Sequence, residues 1–158
     1  MTYCLDTSAF IAAWVENYPK DVTPKLWSDY LPALVKAGRL ITPKDVLLEL
    51  EKKAGKDDGL CEWVKDHSAG VIELDATLLI EGKRITNAYR RLLEHKPGRS
   101  GADPFVIALA SVRNATVVTK EGFSGSMKKP KIQDVCRAEE IPCIGFLELI
   151  RKEKWVFS

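Results

Sequence analysis

The feature that most constrains the fold is a series of short apolar runs that alternate with helical patterns, and the first run opens the chain. Tyr3–Leu5 is strand-like, and a helical pattern begins near Phe10. Asp6–Ser8 lies between them, and each of its side chains can cap a helix. A buried strand that leads directly into a helix is typical of a parallel α/β sheet, in which ligands bind beyond the carboxyl ends of the strands. Asp6 is expected at that edge.

Four more apolar runs repeat the arrangement. We predict further strands at Leu40–Thr42, Val71–Leu74, Ala115–Thr119 and Pro142–Ile144. We predict helices at residues 24–35, 43–54, 60–67, 75–93, 102–113, 132–140 and 146–152. Short strands that alternate with helices indicate an α/β fold: a three-layer sandwich with a short, mainly parallel five-stranded sheet flanked by helices. Without a linker or repeat, residues 1–158 are expected to form a single domain.

Proline, glycine and capping residues mark the expected breaks. Pro32 should bend or split its helix, and Pro43 should open the next one. The long stretch from residue 75 should be capped by Asp75 or Thr77, and Gly82 is a point where it can divide.

Composition excludes several classes of protein. With 158 residues and 46% hydrophobic content, one domain can bury roughly 70% of its unfolded surface. No stretch approaches the ~20 apolar residues of a membrane span, and no signal peptide pattern is present. We therefore expect a cytoplasmic protein without a membrane partner. Its cysteines lack Cys-x-x-Cys spacing, and Cys4 and Cys136 fall in apolar patterns typical of small buried thiols.

The positive charges are concentrated in two stretches. Lys83–Arg99 contains six Lys or Arg and one Glu, and Lys120–Lys131 contains four Lys and one Glu. Such runs are either a solvated surface or a patch that binds phosphates, and the pattern leaves both interpretations open. The candidate phosphate contacts are Lys83, Arg84, Arg90, Arg91, Arg99, Lys128 and Lys129.

Acidic residues follow three of the predicted strands. Asp6 follows the first, Glu49 lies one turn into the helix after the second, and Glu121 follows the fourth, while Asp103 begins a helix after a glycine loop. In a parallel sheet these segments emerge at the same edge, so their carboxylates can converge. Converging carboxylates repel one another unless a cation with oxygen ligands, such as Mg²⁺ or Mn²⁺, balances them. Such an ion activates water and stabilises a phosphodiester under attack.

Each of these acids also has a purely structural interpretation. Asp103 before Pro104 fits a helix N-cap followed by a first-turn proline. Glu49 lies at the edge of the apolar face of its helix, where solvated residues are common, and Glu121 lies in a polar loop. The residue pattern alone leaves the two roles open.

Four segments together resemble PIN-domain nucleases. They are Leu5–Ser8, Val46–Leu50, Ala102–Ala108 and Val117–Phe123, in the order seen in that family. The resemblance extends from residue 2 to about residue 145. The chain resembles the compact single-domain PIN proteins that act as VapC-type toxins, particularly an uncharacterised subfamily with an aromatic tail like Trp155–Phe157.

The resemblance implies a PIN-like fold and a metal-dependent endoribonuclease that uses Mg²⁺ or Mn²⁺ to hydrolyse RNA phosphodiester bonds. Asp6, Glu49 and Asp103 match the three core acids of the family. Many relatives have a fourth acid in a Thr-x-Asp loop, where this chain has Glu121, and Asp134 is a second candidate for that role. The hydroxyls expected to orient carboxylates or waters are those of Thr7, Ser8 and Thr119.

The expected partners are RNA, an antitoxin protein and a second copy of the chain. Trp14, Trp27 and Tyr30 lie on early helices with more apolar residues than one face needs, which together with the resemblance predicts a homodimer. The tail at Trp155–Phe157 should dock on the body of the chain or on a partner. Single-stranded or looped RNA suits an acidic pocket ringed by positive charge.

Two other classes are disfavoured by the residues after the first strand. A phosphatase of the haloacid-dehalogenase type needs a second acid two residues after the first, where this chain has Ser8. A response-regulator receiver needs an acidic pair that the chain lacks at this strand. The alternative that stays open is a PIN-like module that binds RNA or a protein without cutting.

Overall fold

The computed structural model describes residues 1–53, 59–92, 102–128 and 130–157. Its sheet consists of β1 (Tyr3–Leu5), β2 (Leu40–Pro43), β3 (Val71–Ile72), β4 (Thr116–Val118) and β5 (Cys143–Ile144). The strand order is β3-β2-β1-β4-β5, and every pairing is parallel. Strands β1, β2 and β4 are buried along their whole length, as expected for apolar runs covered on both faces.

Eight α-helices lie within the described residues. They are α1 (Thr7–Ile11), α2 (Leu31–Lys36), α3 (Lys44–Lys53), α4 (Leu60–Asp66), α5 (Ala76–Ala88), α6 (Ala102–Arg113), α7 (Ile132–Ala138) and α8 (Phe146–Lys152). Two π-helical segments, Ala12–Asn17 and Leu26–Tyr30, follow α1 and precede α2, and short 3₁₀ turns occupy Ser68–Gly70 and Arg90–Leu92. None of the helices described here is long and apolar enough to cross a membrane.

The predicted fold class is confirmed: a parallel five-stranded sheet is flanked by helices. Helix α6 contacts β1, β2 and β4, and α5 packs against α6. The segment Val106–Ala110 of α6 is therefore completely buried. Because a helix that connects parallel strands runs back against their direction, the first turn of α6 lies near the carboxyl edge of the sheet.

Two predicted boundaries in the first half of the chain are wrong for local reasons. Strand β3 ends at Ile72, because Glu73 and Leu74 are exposed instead of paired. Pro43 is the last residue of β2, opposite Ile72 in the parallel register, so α3 begins at Lys44. The helix expected to bend or split at Pro32 changes type next to this residue. The π-helical segment Leu26–Tyr30 ends there and α2 begins at Leu31.

Helix α5 also differs from its prediction. It runs unbroken across Gly82, whose missing side chain leaves room for the ring of Phe105 on α6. Its cap is Asp75, whose carboxylate accepts a hydrogen bond from the Leu78 amide at 2.8 Å. The helix ends at Ala88, and the predicted end at Leu93 lies outside the described residues.

The aromatic tail docks on the body of the chain. Trp155 stacks on Tyr30 with ring centroids 5.2 Å and planes 12° apart, and Phe157 packs against the same ring. Trp27 is buried and lies edge-on to Trp14. These aromatics are engaged within the chain, so they add no separate argument for a dimer, and the homodimer stays a prediction.

Candidate active site

The sheet has a topological switch point between β1 and β4. The chain adds β2 and β3 on one side of β1, whereas β4 and β5 extend the sheet on the other side. Ligands of open parallel sheets bind in the crevice beyond the carboxyl ends of the strands at such a point. Asp6 directly follows β1 and Thr119 directly follows β4, so these two residues form the crevice.

The Asp6 carboxylate is held by donors from both sides of the crevice. Its Oδ1 accepts hydrogen bonds from the Ala9 amide at 2.7 Å and the Ser8 hydroxyl at 2.8 Å. Its Oδ2 accepts a hydrogen bond from Thr119 Oγ1 at 2.5 Å. The bond from Ala9 makes Asp6 the N-cap of α1, so the capping role and the position at the crevice are combined in one side chain.

Burial controls the ionisation of Asp6, whose relative exposure is only 2%. Loss of solvent raises its pKa to about 7, although the hydrogen bonds from Thr119, Ala9 and Ser8 act in the opposite direction. The negative charge of Asp103 adds to the rise. The two negative charges therefore repel each other.

Glu49 points inward from α3 and is only 3% exposed. Its Oε2 accepts a hydrogen bond from Thr7 Oγ1 at 2.5 Å. Its Oε1 is buried without a hydrogen-bond partner among the described residues. Within the part of the chain that the structure describes, neither Asp6 nor Glu49 forms an ion pair. A buried acceptor of this kind is costly unless a cation or donor binds it.

Asp103 lies in the first turn of α6, which begins one residue earlier at Ala102, so it does not occupy the N-cap position. Its relative exposure is 4%. Its negative charge contributes to the raised pKa of Asp6, and its role as a metal ligand stays a prediction.

The two candidates for a fourth acid have different environments. The Asp134 carboxylate accepts hydrogen bonds from the backbone amides of Lys131 at 2.7 Å, Ser124 at 2.9 Å and Gly125 at 3.3 Å. Burial alone would raise the pKa of Asp134, but these bonds outweigh it and hold the pKa below its usual range. Asp134 therefore fixes the loop before α7. The Glu121 amide donates to Thr119 Oγ1 at 3.1 Å, and the role of Glu121 as a fourth acid stays a prediction.

The carboxylates fit a hard divalent cation by their chemistry. Among the described residues, no three His, Cys, Asp or Glu side chains form by themselves a group that could hold a metal ion. Mg²⁺ does not require such a cage, because it keeps several waters and is usually bound by one or two carboxylates together with substrate phosphates. The repelling pair Asp6 and Asp103, with the unpartnered Oε1 of Glu49, supplies oxygen donors and buried negative charge of that kind.

The predicted phosphate contacts fall into three groups. Arg84 is held by two carboxylates, Glu81 at 2.5 Å and Glu139, which ties α5 to the end of α7. Arg99 and Lys129 lie outside the described residues. The remaining four are exposed, and they are Lys83, Arg90, Arg91 and Lys128.

Sequence reasoning missed two charged residues beside the acids. Asp45 lies one turn before Glu49 on α3, and burial, followed by the charge of Glu49, raises its pKa. The i,i+4 spacing of the two acids was the available signal. Lys120 contacts the other side of the crevice, where its amide donates to Ser8 Oγ at 3.1 Å and its ammonium pairs with Glu16 at 2.7 Å.

Comparison with solved structures supports the PIN-like fold. A chain from the crystal structure of VapBC2 from Rickettsia felis, bound to a DNA fragment from its promoter, superposes with a TM-score of 0.57 at 16% identity. The match covers 92% of this chain and 99% of that one. A chain of VapBC-1 from nontypeable Haemophilus influenzae gives a TM-score of 0.54 at 16% identity, covering 90% and 96%. At this identity the likeness shows the fold alone.

The comparison with curated proteins finds no match. One family model, described as a domain of unknown function (DUF4411), matches residues 3–157. This range includes β1, the acids of the crevice and the docked tail. Because the match spans nearly the whole chain, the protein belongs to the DUF4411 family.

Proposed function

We propose that the protein is a metal-dependent endoribonuclease that hydrolyses RNA phosphodiester bonds, and that it acts as the toxin of a toxin–antitoxin pair. The observation that carries the proposal is the set of buried carboxylates, Asp6, Glu49 and Asp103, in a fold shared with VapBC structures. A surface that only binds RNA has no use for buried negative charge, because phosphates are repelled by it.

Asp6 and Asp103 would hold Mg²⁺ or Mn²⁺, with Glu49 and Glu121 beside them. When bound, such an ion supplies positive charge to phosphate oxygens and activates water. The hydroxyls of the chain keep the ligands in place. Ser8 and Thr119 donate to Asp6, and Thr7 donates to Glu49. Carboxylates held in this way do not need to reorient when a phosphate arrives, which is the general advantage of a preorganised site.

The exposed basic residues would bring the RNA to the crevice. Lys83, Arg90, Arg91 and Lys128 can each neutralise a phosphate of the backbone. A single strand or loop can enter the crevice, whereas a double helix keeps its backbone on a rigid path. The VapBC structures also motivate an antitoxin as protein partner, and we include it and a homodimer in the proposal.

Cleavage of labelled single-stranded RNA in Mn²⁺, with and without EDTA, tests the activity. We expect cleavage that EDTA abolishes and that Asp103→Asn lowers by about 100-fold or more, the scale found when one electrostatic stabiliser of a transition state is removed. Asp66→Asn is the matched control, because Asp66 is exposed at the end of α4 and should not affect the rate.

The outcome that contradicts the proposal is binding of RNA without cleavage, unchanged by EDTA and by Asp103→Asn. That result would instead support the non-catalytic binding module. Cleavage that persists in EDTA would point to a contaminating nuclease or to a reaction without a divalent ion, and would also count against the proposal.

A further inference from the structure

We propose that a groove beside the acidic crevice binds the base of the nucleotide next to the phosphate that is cleaved. The inference rests on the proposed function, since it assumes that a phosphate lies against Asp6. It adds a second subsite, which would determine the bases at which the protein prefers to cut.

The groove and the crevice share a wall. The groove has a volume of about 350 Å³, within the ~300–1,000 Å³ range typical of small-ligand sites. Thr119 lines it and at the same time donates a hydrogen bond to Asp6 Oδ2 at 2.5 Å. Lys120 continues the same wall, and its amide donates to Ser8 Oγ, which is bound to Asp6 Oδ1. A ligand in the groove is therefore adjacent to a phosphate at Asp6.

The lining suits a flat, partly polar group. Tyr18 supplies an aromatic surface and is supported by Phe146, with ring centroids 5.4 Å apart and planes tilted by 31°. Asn17 is exposed at the groove and carries both hydrogen-bond donors and an acceptor, as the reading of a base edge requires. Stacking of a base on an aromatic side chain is a general mode of binding to single strands.

A base is favoured over a second phosphate as the occupant. Ala9 and Ala12 line the groove and offer no positive charge. Among the described residues, the one cation that lines it is Lys120, an exposed residue already paired with Glu16 at 2.7 Å. A neighbouring nucleotide would therefore place its base, and not its phosphate, against Ala9 and Ala12.

Gly145 offers a way to close the groove without disturbing the fold. It lines the groove, its backbone is extended (φ −88°, ψ 169°), and a Cβ added there would meet no atom within 4 Å. Gly145→Leu should fill the space that a base would occupy. The control for an added leucine is Ala33→Leu, because Ala33 is an exposed residue of α2.

The experiment measures cleavage of a single-stranded RNA and of copies with an abasic ribose on either side of the cut. An abasic ribose on one side should slow the wild type by about tenfold, the order expected from one lost stacking contact. Gly145→Leu should cut the intact RNA about tenfold more slowly and be insensitive to that abasic site, whereas Ala33→Leu should behave as wild type. Asn17→Ala should reduce the preference among bases at the same position.

A second measurement tests binding in the groove independently of the proposed nuclease activity. Titration of the protein with nucleoside 5′-monophosphates, followed by NMR, should move the signals of the Asn17 side-chain amide and the Gly145 backbone amide. Gly145→Leu should abolish the shift at Asn17. If the wild type cuts no RNA but shows these shifts, the proposed function fails and the groove stands. The groove proposal is contradicted if the wild type and Gly145→Leu both cut intact and abasic RNA at equal rates and the nucleotides cause no NMR shifts.

Discussion

At the scale of single residues, Thr119 joins the two parts of the candidate site. Its hydroxyl donates to Asp6 Oδ2 and accepts from the amide of Glu121, and it lies 3.2 Å from the hydroxyl of Ser8. The side chain is 4% exposed, so water cannot readily replace it. Thr119 therefore orients the Asp6 carboxylate, on which the proposed chemistry depends. This role does not require Thr119 to contact the reacting phosphate.

The pair Thr119→Val and Thr119→Ser tests this orienting role. Valine keeps the shape but removes the donor, and hydrogen bonds to charged groups contribute about 1.5–3 kcal/mol. We expect Thr119→Val to lose that much stability in urea unfolding and to cut RNA about 10- to 100-fold more slowly. Thr119→Ser keeps the hydroxyl and should recover most of the cleavage rate. Equal rates for the two variants would show that the hydroxyl has no part in the site.

At the scale of elements, the packing of α5 on α6 determines where Asp103 lies. Gly82 of α5 faces the ring of Phe105, which is two residues beyond Asp103 on α6. A Cβ at residue 82 would lie 2.3 Å from the nearest ring atom. The absence of a side chain at Gly82 thus lets the two helices approach, although glycine weakens a helix by itself.

Gly82→Ala should show which of these two effects is larger. Alanine improves the helix by about 1 kcal/mol, but overpacking typically costs about 1–3 kcal/mol. We expect a net loss of up to about 2 kcal/mol, measured by urea unfolding, and slower RNA cleavage because Phe105 and the first turn of α6 must shift. The double variant with Phe105→Leu should recover the stability. Gly122→Ala, where a Cβ meets nothing within 4 Å, is the control. A more stable Gly82→Ala protein would contradict the packing argument.

At the scale of the whole molecule, the distribution of charge is more informative than its sum. The net charge is +2, yet the crevice contains buried carboxylates while exposed basic residues lie on other segments. Arg90 and Arg91 line a groove of about 310 Å³ with Met127 and Pro130, between the end of α5 and the loop before α7. Arg84, by contrast, holds α5 to α7 through Glu139.

The salt dependence of RNA binding distinguishes these arginines. For single strands, the slope of log K against log salt is about 0.7 per neutralised phosphate. If Arg90 and Arg91 each contact one phosphate, the double change to Gln should flatten the slope by about 1.4. The measurement is made in EDTA so that the RNA stays intact. Arg84→Gln should alter thermal stability but not the slope. A slope that the double variant leaves unchanged would place Arg90 and Arg91 on a surface that does not contact RNA.

Much of the architecture follows from local patterns in the sequence. The strand at Thr116–Val118 and the caps at Asp6 and Asp75 were predictable, because strand propensity and capping involve residues next to one another in the chain. The parallel sheet also followed from the alternation of strands and helices. The position of Asp6 at the carboxyl edge needed no tertiary information beyond that rule.

What only the tertiary structure decided involves partners far apart in the chain. A helical wheel places Glu49 at the edge of an apolar face, whereas in the structure it is buried and accepts a hydrogen bond from Thr7 of another helix. The role of Asp134 in fixing the loop before α7 depends on backbone amides that only the folded loop brings to its carboxylate. Arg84 lies in a basic run, yet Glu139 captures it across α5 and α7. Periodicity shows which residues face the core, but the packing of helices and strands determines the partner of a buried charge. The contacts of the site residues could therefore be found only in the tertiary structure.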